Sequence, residues 1–399
     1  MEVAEPHFDI IENIGKHIDQ LYISGEKRSF DIIENIEKHI KQLTPLSPSQ
    51  AIVCIGKYPI QIILNGSFIE NISEVLPIFI DKSSVDINNW SQSRLKPYNI
   101  LGLDTKIDTF LWYDVYHNIM KDDKFISRLK NKPLKNIRQA IVVASIWDGV
   151  GSSLFPLLCS QLRMLNINSV AFAVLPSKVQ PPDVHFNAFS SMGLSLSTGF
   201  TPVLLIDREN LENYVGVNRK GAKIKGNMLI NYLVELLLEK RTLGQEISEF
   251  SRSFNVNIFT ALLTTGASFR IYGSIENILN AALLKPLLKF KLSSASVLYV
   301  IIRIPSHLKT KLPREKIDLS IANWVKDKVS LKSIYFSDPI YVEDTSDRID
   351  VGMFVGGFDV TELFTSMEKK INPIKSEALN RGLISEEEWQ GIVNSLMKD

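Results

Sequence analysis

From residue 51 onward, short apolar runs of strand character alternate with stretches whose apolar residues have helical spacing. The runs that predict strands lie at residues 51–55, 61–65, 76–80, 139–144, 169–175 and 202–206. Helical spacing is found at residues 154–165 and 183–195. Several of the strand runs are continuously apolar, which is typical of a parallel sheet that is covered on both faces. This alternation predicts an α/β fold with a doubly wound parallel sheet.

The second half of the chain predicts helices first and a smaller mixed unit afterwards. Residues 223–240 predict a long central helix, and helical spacing continues to about residue 263. After a further helix at 274–284, the pattern predicts a strand at 296–304, a helix at 313–325 and strands at 333–336 and 349–355. This order indicates a small α+β domain, which a polar helical tail at 367–399 follows.

The N-terminal segment contains an internal repeat. The seven residues 8–14 recur at 30–36, and each copy continues as Lys-His-Ile-x-Gln-Leu. Apolar residues with 3-4-3 spacing occur in both copies: Ile11, Ile14, Ile18 and Leu21, then Ile33, Ile36, Ile40 and Leu43. This spacing predicts two short helices, each with one apolar seam. We expect them to fold onto each other or onto the main domain, and the alternative is a hairpin for self-association or for docking a partner.

Composition excludes several classes of protein. The chain has 45 Lys+Arg and 44 Asp+Glu residues, a balance that argues against binding nucleic acid through bulk charge. No apolar run reaches the roughly 18 residues of a transmembrane segment, and no signal peptide is evident, so we expect a cytoplasmic protein. Cys54 and Cys159 lie in apolar runs and are expected to be buried. The histidines show no metal-ligand spacing, so no metal site is predicted from them.

One turn combines the residue types of an anion site. After the strand at 139–144, a turn contains Asp148, Gly149, Gly151, Ser152 and Ser153, and a helix is expected to begin after it at Leu154. Amides at a helix N-terminus attract anions, glycine permits close approach, and serine can donate a hydroxyl. The alternative is a tight strand-to-helix turn that needs glycine for its own geometry. Asp148 argues against phosphate, because a carboxylate repels an anion unless a cation intervenes.

The order of these elements and several segments resemble the FtsZ/tubulin superfamily, and in particular its archaeal members. Residues 147–153 stand where that family has a Gly-rich phosphate loop, and residues 174–178 resemble the end of its next strand. Residues 204–211 are similar to the family segment VIPNDRL, and residues 350–359 resemble its closing RVTVIATGFD. The resemblance covers about residues 50–360.

The resemblance implies a cytoskeletal protein that binds GTP or GDP with Mg²⁺ and assembles head to tail into protofilaments. It implies that Gly149, Gly151, Ser152 and Ser153 contact phosphates, that Gly56 belongs to the first nucleotide loop, and that Asn227 contacts the guanine edge. The N-terminal helices would then be available to dock another FtsZ-like subunit or a tether protein.

By the same resemblance, the chain divides into five parts. These are N-terminal helices and linker (1–49), a nucleotide-binding domain (50–220), a central helix with a degenerate catalytic loop (221–265), a C-terminal α+β domain (266–366) and a helical tail (367–399).

Departures from the family concern the chemistry of hydrolysis. The loops at 56–60 and 101–106 keep one glycine each, and Pro59 removes an amide donor. In the family, acidic residues of one subunit act on the nucleotide of the next, whereas residues 253–260 contain no Asp or Glu, and Asn257 stands at an acidic position. An amide can position a water but cannot act as a base. We therefore expect GTP hydrolysis to be weak or lost, and whether GTP binds stays open.

Two other functions are compatible with the sequence. One is a nucleotide-independent scaffold that uses the N-terminal repeat as its docking element. The other is a doubly wound enzyme that binds a phosphorylated metabolite at residues 149–153, although the chain lacks the dinucleotide fingerprint. Concentration-dependent filaments would favour the cytoskeletal function. Turnover by a monomer would favour the enzyme, and a stable complex that needs residues 1–43 would favour the scaffold.

Overall fold

A computed structural model describes residues 49–66, 75–91, 100–103, 109–121, 124–125, 127–128, 134, 136–199, 201–240, 242–326 and 331–397. The predicted N-terminal repeat and most of its linker lie outside these residues. The predicted division of the chain into five parts stays a prediction.

An 11-stranded sheet crosses the described part of the chain, with strand order β11-β10-β13-β9-β6-β5-β4-β1-β2-β3 and with β12 paired to β10. Strands β7 and β8 form a separate hairpin. The strands are β1 Gln50–Ile55, β2 Val75–Asp81, β3 Ile100–Gly102, β4 Gln139–Ser145, β5 Asn168–Leu175, β6 Val203–Asp207, β7 Gly216–Val217, β8 Lys223–Ile224, β9 Ile258–Ser268, β10 Val297–Pro305, β11 Ser333–Phe336, β12 Ile340–Val342 and β13 Arg348–Gly356. All pairs from β3 to β9 are parallel, and β13 is antiparallel to both β9 and β10.

Helices cover both faces of this sheet. They are α1 Lys57–Leu64, α2 Ser84–Ser91, α3 Trp112–Met120, α4 Gly149–Met164, α5 Pro182–Thr198, α6 Arg208–Glu212, α7 Leu229–Glu239, α8 Leu243–Phe254, α9 Phe269–Tyr272, α10 Ile275–Leu283, α11 Arg314–Lys326, α12 Thr361–Asn380 and α13 Glu386–Met397. Alternate residues of β1 enter two separate apolar clusters: Val53 packs with α3, α4 and α5, whereas Cys54 packs with α1, α7 and α8. The predicted doubly wound α/β fold is therefore confirmed.

Most predicted elements are present, including five of the six strands of the first half and the helical tail. Cys54 and Cys159 are buried, as expected. The predicted strand at 61–65 is wrong, because these residues belong to helix α1. Ile60, Ile63 and Leu64 are buried on one face of that helix. Pro59 lies in its first turn, where a missing amide costs no intrahelical hydrogen bond.

Two helical predictions of the second half are also corrected. Residues 223–228 do not begin the central helix: the turn at Asn218–Gly221 closes the β7–β8 hairpin, a 3₁₀ turn follows, and α7 begins at Leu229. Helical structure does not continue to residue 263, because α8 ends at Asn255 in the left-handed conformation and β9 follows.

The C-terminal helices α12 and α13 both pack against α5. The ring of Trp389 stacks on those of Phe186 and Phe189, with centroids 5.7 and 5.5 Å away. In the described part of the chain, no helix combines the length and the apolarity that crossing a membrane requires.

A buried ion network ties the central helix to the last strands. The guanidinium of Arg303 on β10 donates to Asp350 on β13 at 2.7 and 2.8 Å and to Glu239 at the end of α7 at 2.7 Å. The second carboxylate oxygen of Asp350 accepts from the amide of Gly266 on β9 at 2.6 Å. Arg303 and Asp350 are both 1% exposed, so each depends on the other for compensation of its charge.

We expect Asp350→Ala to lower the free energy of unfolding by about 3 to 5 kcal/mol, because it removes the buried carboxylate that Arg303 contacts twice and leaves this buried cation only the partly exposed Glu239. Chemical denaturation followed by circular dichroism measures this loss. The matched control is Glu377→Ala, which removes an exposed i,i+4 pair with Arg381 and should change stability by less than about 1 kcal/mol. Equal losses in the two variants would contradict this account.

Candidate functional site

The carboxyl ends of β1, β4, β5 and β6 lie at the same edge of the sheet, which we call the carboxyl edge. We call the opposite edge, where these strands begin, the amino edge. At the carboxyl edge, β4 ends at Ser145 and the chain turns through Ile146 and Trp147 into α4. The amide of Ile146 still donates to Val174 on β5 at 3.3 Å, so the turn is fixed to the sheet. The turn therefore places the start of α4 where ligands bind in doubly wound folds.

Asp148 caps the start of α4 with its own side chain. Its Oδ1 accepts from the amide of Gly151 at 2.7 Å, and its Oδ2 accepts from the hydroxyl of Ser145 at 3.0 Å. The amide of Val150 also donates towards this carboxylate. The amide of Gly149 donates to the carbonyl of Thr109 at 3.1 Å. The amides that a phosphate would use thus have partners within the chain.

The two glycines of the turn serve close packing. A side-chain carbon at Gly149 would lie 2.3 Å from the carbonyl oxygen of Thr109, and one at Gly151 would lie 1.8 Å from the carbonyl oxygen of Ser145. Real carbon and oxygen atoms do not approach so closely, so both positions require glycine whatever the ligand. Of the two sequence interpretations, the tight turn accounts for these residues without a phosphate.

The two serines donate to backbone carbonyls. The hydroxyl of Ser152 lies 2.6 Å from the carbonyl oxygen of Asp148, and that of Ser153 lies 2.6 Å from those of Trp112 and Gly149. Both serines are fully buried. In this geometry they stabilise the turn and the segment before α3 and offer no exposed hydroxyl to a ligand.

Residues 109–112, which we call the strap, lie across the start of α4. Asn187 on α5 holds the strap from outside: its Oδ1 accepts from the amide of Trp112 at 2.8 Å, and its Nδ2 donates to the carbonyl of Phe110 at 2.9 Å. The same Nδ2 lies 3.1 Å from the carbonyl oxygen of Trp147. Asn187 was missed in the sequence, because one polar residue in an amphipathic helix gives no local signal.

Gly56 and Asn227, the other predicted nucleotide contacts, lie at different places near α1. Gly56 precedes α1 and adjoins the turn: a side-chain carbon there would lie 2.7 Å from the hydroxyl oxygen of Ser145. Asn227 lines a cavity of about 330 Å³ beside α1, whose aromatic walls include Tyr58 and Trp90. The structure thus brings Gly56 to the turn at Asp148, and Tyr58 lies between this turn and the cavity of Asn227.

A cation–aromatic cluster covers the turn. The rings of Tyr58 and Trp147 meet edge to face with centroids 5.0 Å apart, and the guanidinium of Arg208 lies 5.4 and 5.2 Å from them. Arg208 also pairs with Glu212 at 2.7 Å. Burial is the main cause that raises the pKa of Tyr58 to about 12, so its hydroxyl remains neutral. Trp147 lies in the turn that the sequence singled out, but the sequence shows no sign of Tyr58 or Arg208 as its partners.

Asn257 lies at the amino edge, where it directly precedes β9 and its carbonyl accepts from the amide of Val203 at 2.8 Å. Helix α8 lies along the same edge: Ser248 donates to the carbonyl of Ser169 at 2.9 Å, and Arg252 to the side chain of Asn168 at 3.0 Å. Asn257 therefore lies at the opposite edge from Gly149 and Gly151. The catalytic and nucleotide roles of these residues stay predictions.

Glu246 on α8 is an acidic residue that lies upstream of Asn257 in the sequence. The structure shows it in a network at the amino edge, where Lys240, Thr242 and Tyr299 donate to its carboxylate at 2.6 to 2.7 Å. Burial acts to raise its pKa, but these hydrogen bonds prevail and hold the pKa below its ordinary value. Glu246 is thus an ionised, engaged carboxylate.

No protein-family model and no curated protein sequence matches this chain. Solved structures match it in fold. CetZ from Methanosaeta thermophila strain DSM 6194 matches with a TM-score of 0.66 and 15% identity over 87% of this chain and 97% of that chain. CetZ2 from Haloferax volcanii, a GTPγS-bound protofilament, matches with a TM-score of 0.60 and 15% identity over 82% of this chain and 99% of that chain.

TubZ of Bacillus thuringiensis serovar israelensis, a protofilament in its GTPγS form, matches with a TM-score of 0.55 and 13% identity over 87% of this chain and 98% of that chain. CetZ and TubZ are members of the tubulin/FtsZ superfamily. The expected fold is confirmed by these matches, and the low identities mark a divergent sequence.

Burial raises the pKa of Asp148 to about 6, against the lowering effect of its hydrogen bonds from Gly151 and Ser145. The unfolded value is about 3.9. Between these values the native state holds a proton that the unfolded state has released, so the contribution of Asp148 to stability falls as pH rises. We expect the stability of the wild type relative to Asp148→Asn to fall by on the order of 2 kcal/mol from pH 4 to 6 and to be constant above pH 7. Urea denaturation across this range tests the prediction, and a flat or rising difference contradicts it.

Proposed function

Because the chain has the fold of the tubulin/FtsZ superfamily, we propose that it is a cytoskeletal protein that assembles head to tail into filaments. The observation that carries the proposal is the match over more than four fifths of the chain to CetZ2 and TubZ, both in protofilaments. Location in the cytoplasm and docking of another FtsZ-like subunit or a tether protein by residues 1–43 belong to the same proposal.

The two edges of the sheet support a contact of the head-to-tail kind. The carboxyl edge presents the turn at Asp148 and the loop after β5, where Val179 is 90% exposed. The amino edge presents α8, where Phe254 is 40% exposed. These surfaces differ in residues and in shape, so a contact between them is heterologous, and repetition of such a contact builds a filament unless the rotation closes a ring.

The proposal assigns little or no hydrolysis of GTP to the chain. Asn257 and its neighbours in 253–260 supply no carboxylate, and the carboxylate of Glu246 is held by three donors of its own chain. For GTP itself, the cavity beside Asn227 has aromatic walls that suit a base, but the residues at the start of α4 do not fit its phosphates with Mg²⁺. No step is therefore derived through the nucleotide.

The alternative enzyme, which would bind a phosphorylated metabolite at residues 149–153, requires the same amides. Because Asp148 and Thr109 already accept from them, the geometry favours this alternative less than filament assembly. The nucleotide-independent scaffold differs from the main proposal in one observable: it forms no filament of its own.

We expect the purified chain to pellet in high-speed sedimentation above a critical concentration and to show filaments by negative-stain electron microscopy. Val179→Asp at the carboxyl edge and Phe254→Asp at the amino edge should each raise that critical concentration about tenfold or more, because a charge buried in a subunit contact costs more than about 1.4 kcal/mol.

The matched control for both variants is Leu319→Asp, on the outer side of α11 and 61% exposed, which should assemble as the wild type does. Circular dichroism and thermal melts establish that all three variants are folded. If the folded edge variants assemble as well as the control, the head-to-tail contact is wrong, and if the wild type never pellets, the cytoskeletal proposal fails.

A further inference from the structure

We infer that the carboxylate of Asp148 takes the place of a bound phosphate at the start of α4, so that the subunit assembles without a nucleoside triphosphate. The inference rests on the proposed filament assembly, but the occupancy of the α4 terminus can be tested separately from it. It goes beyond weak hydrolysis, because it states that the phosphate position itself is filled by the chain.

The first support is the partner of each amide at the start of α4. Gly149 donates to Thr109, Gly151 to the carboxylate of Asp148, and Ser152 to the carbonyl of Asp148 at 2.9 Å, as in an ordinary helix. Val150 donates towards the same carboxylate. A phosphate needs such amides at about 2.9 Å, and here each would have to leave an existing acceptor.

The second support is steric. The strap lies directly on Gly149, and Asn187 and Ser153 hold it there by hydrogen bonds of 2.6 to 2.9 Å. A ligand at this helix end would have to displace the strap and break these bonds. The turn after β1 also lies close to this terminus, because a side-chain carbon at Gly56 would be 2.7 Å from the hydroxyl of Ser145 and 3.2 Å from the carboxylate of Asp148.

The third support is the charge around the carboxylate. Asp81, at the end of β2, acts on Asp148 as a like charge. Among the described residues, the nearby cations act on other groups: Lys57 lies 5.6 Å from the ring of Trp90 and acts with Lys82 on Asp81, and Arg208 lies over Tyr58 and Trp147 and pairs with Glu212. A phosphate here would meet one carboxylate at contact distance and a second one behind it.

The test uses the full-length chain. Acid extraction followed by ion-exchange chromatography measures the nucleotide that co-purifies, calorimetry measures binding of GTP and of pyrophosphate with Mg²⁺, and sedimentation compares assembly with and without GTP. We expect no co-purified nucleotide and the same amount of pelleted protein with and without GTP. For GTP and for pyrophosphate we expect dissociation constants above about 1 mM, which corresponds to negligible binding.

Asp148→Ser keeps an oxygen that can cap α4 but removes the charge. The matched control is Asp207→Ser at the same edge, because Asp207 caps α6 through Glu209 and Asn210 at 2.8 and 3.1 Å. We expect Asp148→Ser, and not Asp207→Ser, to bind pyrophosphate at least tenfold more tightly than the wild type. Thermal melts show that both variants are folded.

The outcomes separate the inference from the function on which it rests. Wild-type pelleting that requires GTP, or GTP binding below about 100 µM, overturns the inference and leaves the cytoskeletal function intact. Equal pyrophosphate binding by wild type and folded Asp148→Ser also overturns it. If the wild type does not pellet but the calorimetric results are those expected above, the filament function is wrong, whereas the inference that Asp148 fills the phosphate position is supported.

Discussion

The pairing of β9 with two different neighbours holds this fold together. Ile258 and Phe259 pair in parallel with β6, and this 11-residue strand pairs antiparallel with β13 from Phe259 to Ser268, with a register shift between Thr264 and Ala267. All but the first of its residues are buried. The doubly wound half and the C-terminal half therefore share one sheet. Because a strand rises about 3.3 Å per residue, the carboxyl edge with Asp148 and the amino edge with α8 are separated by roughly 20 Å. In the proposed head-to-tail assembly, that separation sets the distance between the two contact surfaces of one copy.

The sequence predicted the elements whose pattern is long and consistent, and it failed where short apolar runs have two solutions. Apart from their first residues, Gln139 and Ser169, the runs 139–144 and 169–175 are apolar, so their burial on both faces allowed little else. Residues 62–64 are also apolar but are too few to show a period, and only the contacts of Ile63 and Leu64 with neighbouring elements decide for a helix. The prediction that helical structure continues to about residue 263 failed for a related reason. The strand at Ile258–Ser268 is determined by its pairing with β6 and β13, which are distant in sequence.

At the candidate site, the sequence singled out the turn before α4, but the residue types of that turn allow two interpretations. Gly149, Gly151, Ser152 and Ser153 are the residue types of a phosphate loop and also those of a tight, self-satisfied turn. What distinguishes the two is the partner of each amide and hydroxyl. Those partners include the carbonyls of Thr109 and Trp112, which lie in another segment of the chain and carry no motif. Asp148 was the one local signal, because a carboxylate at a helix start caps it and competes with an anionic ligand for the same amides.

A tethered anion differs from a bound nucleotide in its thermodynamics. The carboxylate of Asp148 is joined to the helix that it caps, so its local concentration does not depend on the cell, and any phosphate competes against an intramolecular ligand that loses almost no further freedom. It also cannot be hydrolysed or exchanged. In nucleotide-driven assembly, the ligand changes the relative stability of two subunit states, and its hydrolysis changes the stability of the filament with time. A subunit that carries its anion in the chain has a single state at that position. Its assembly is then set by concentration and by partners that contact its surface, and regulation has to act at the edges of the sheet.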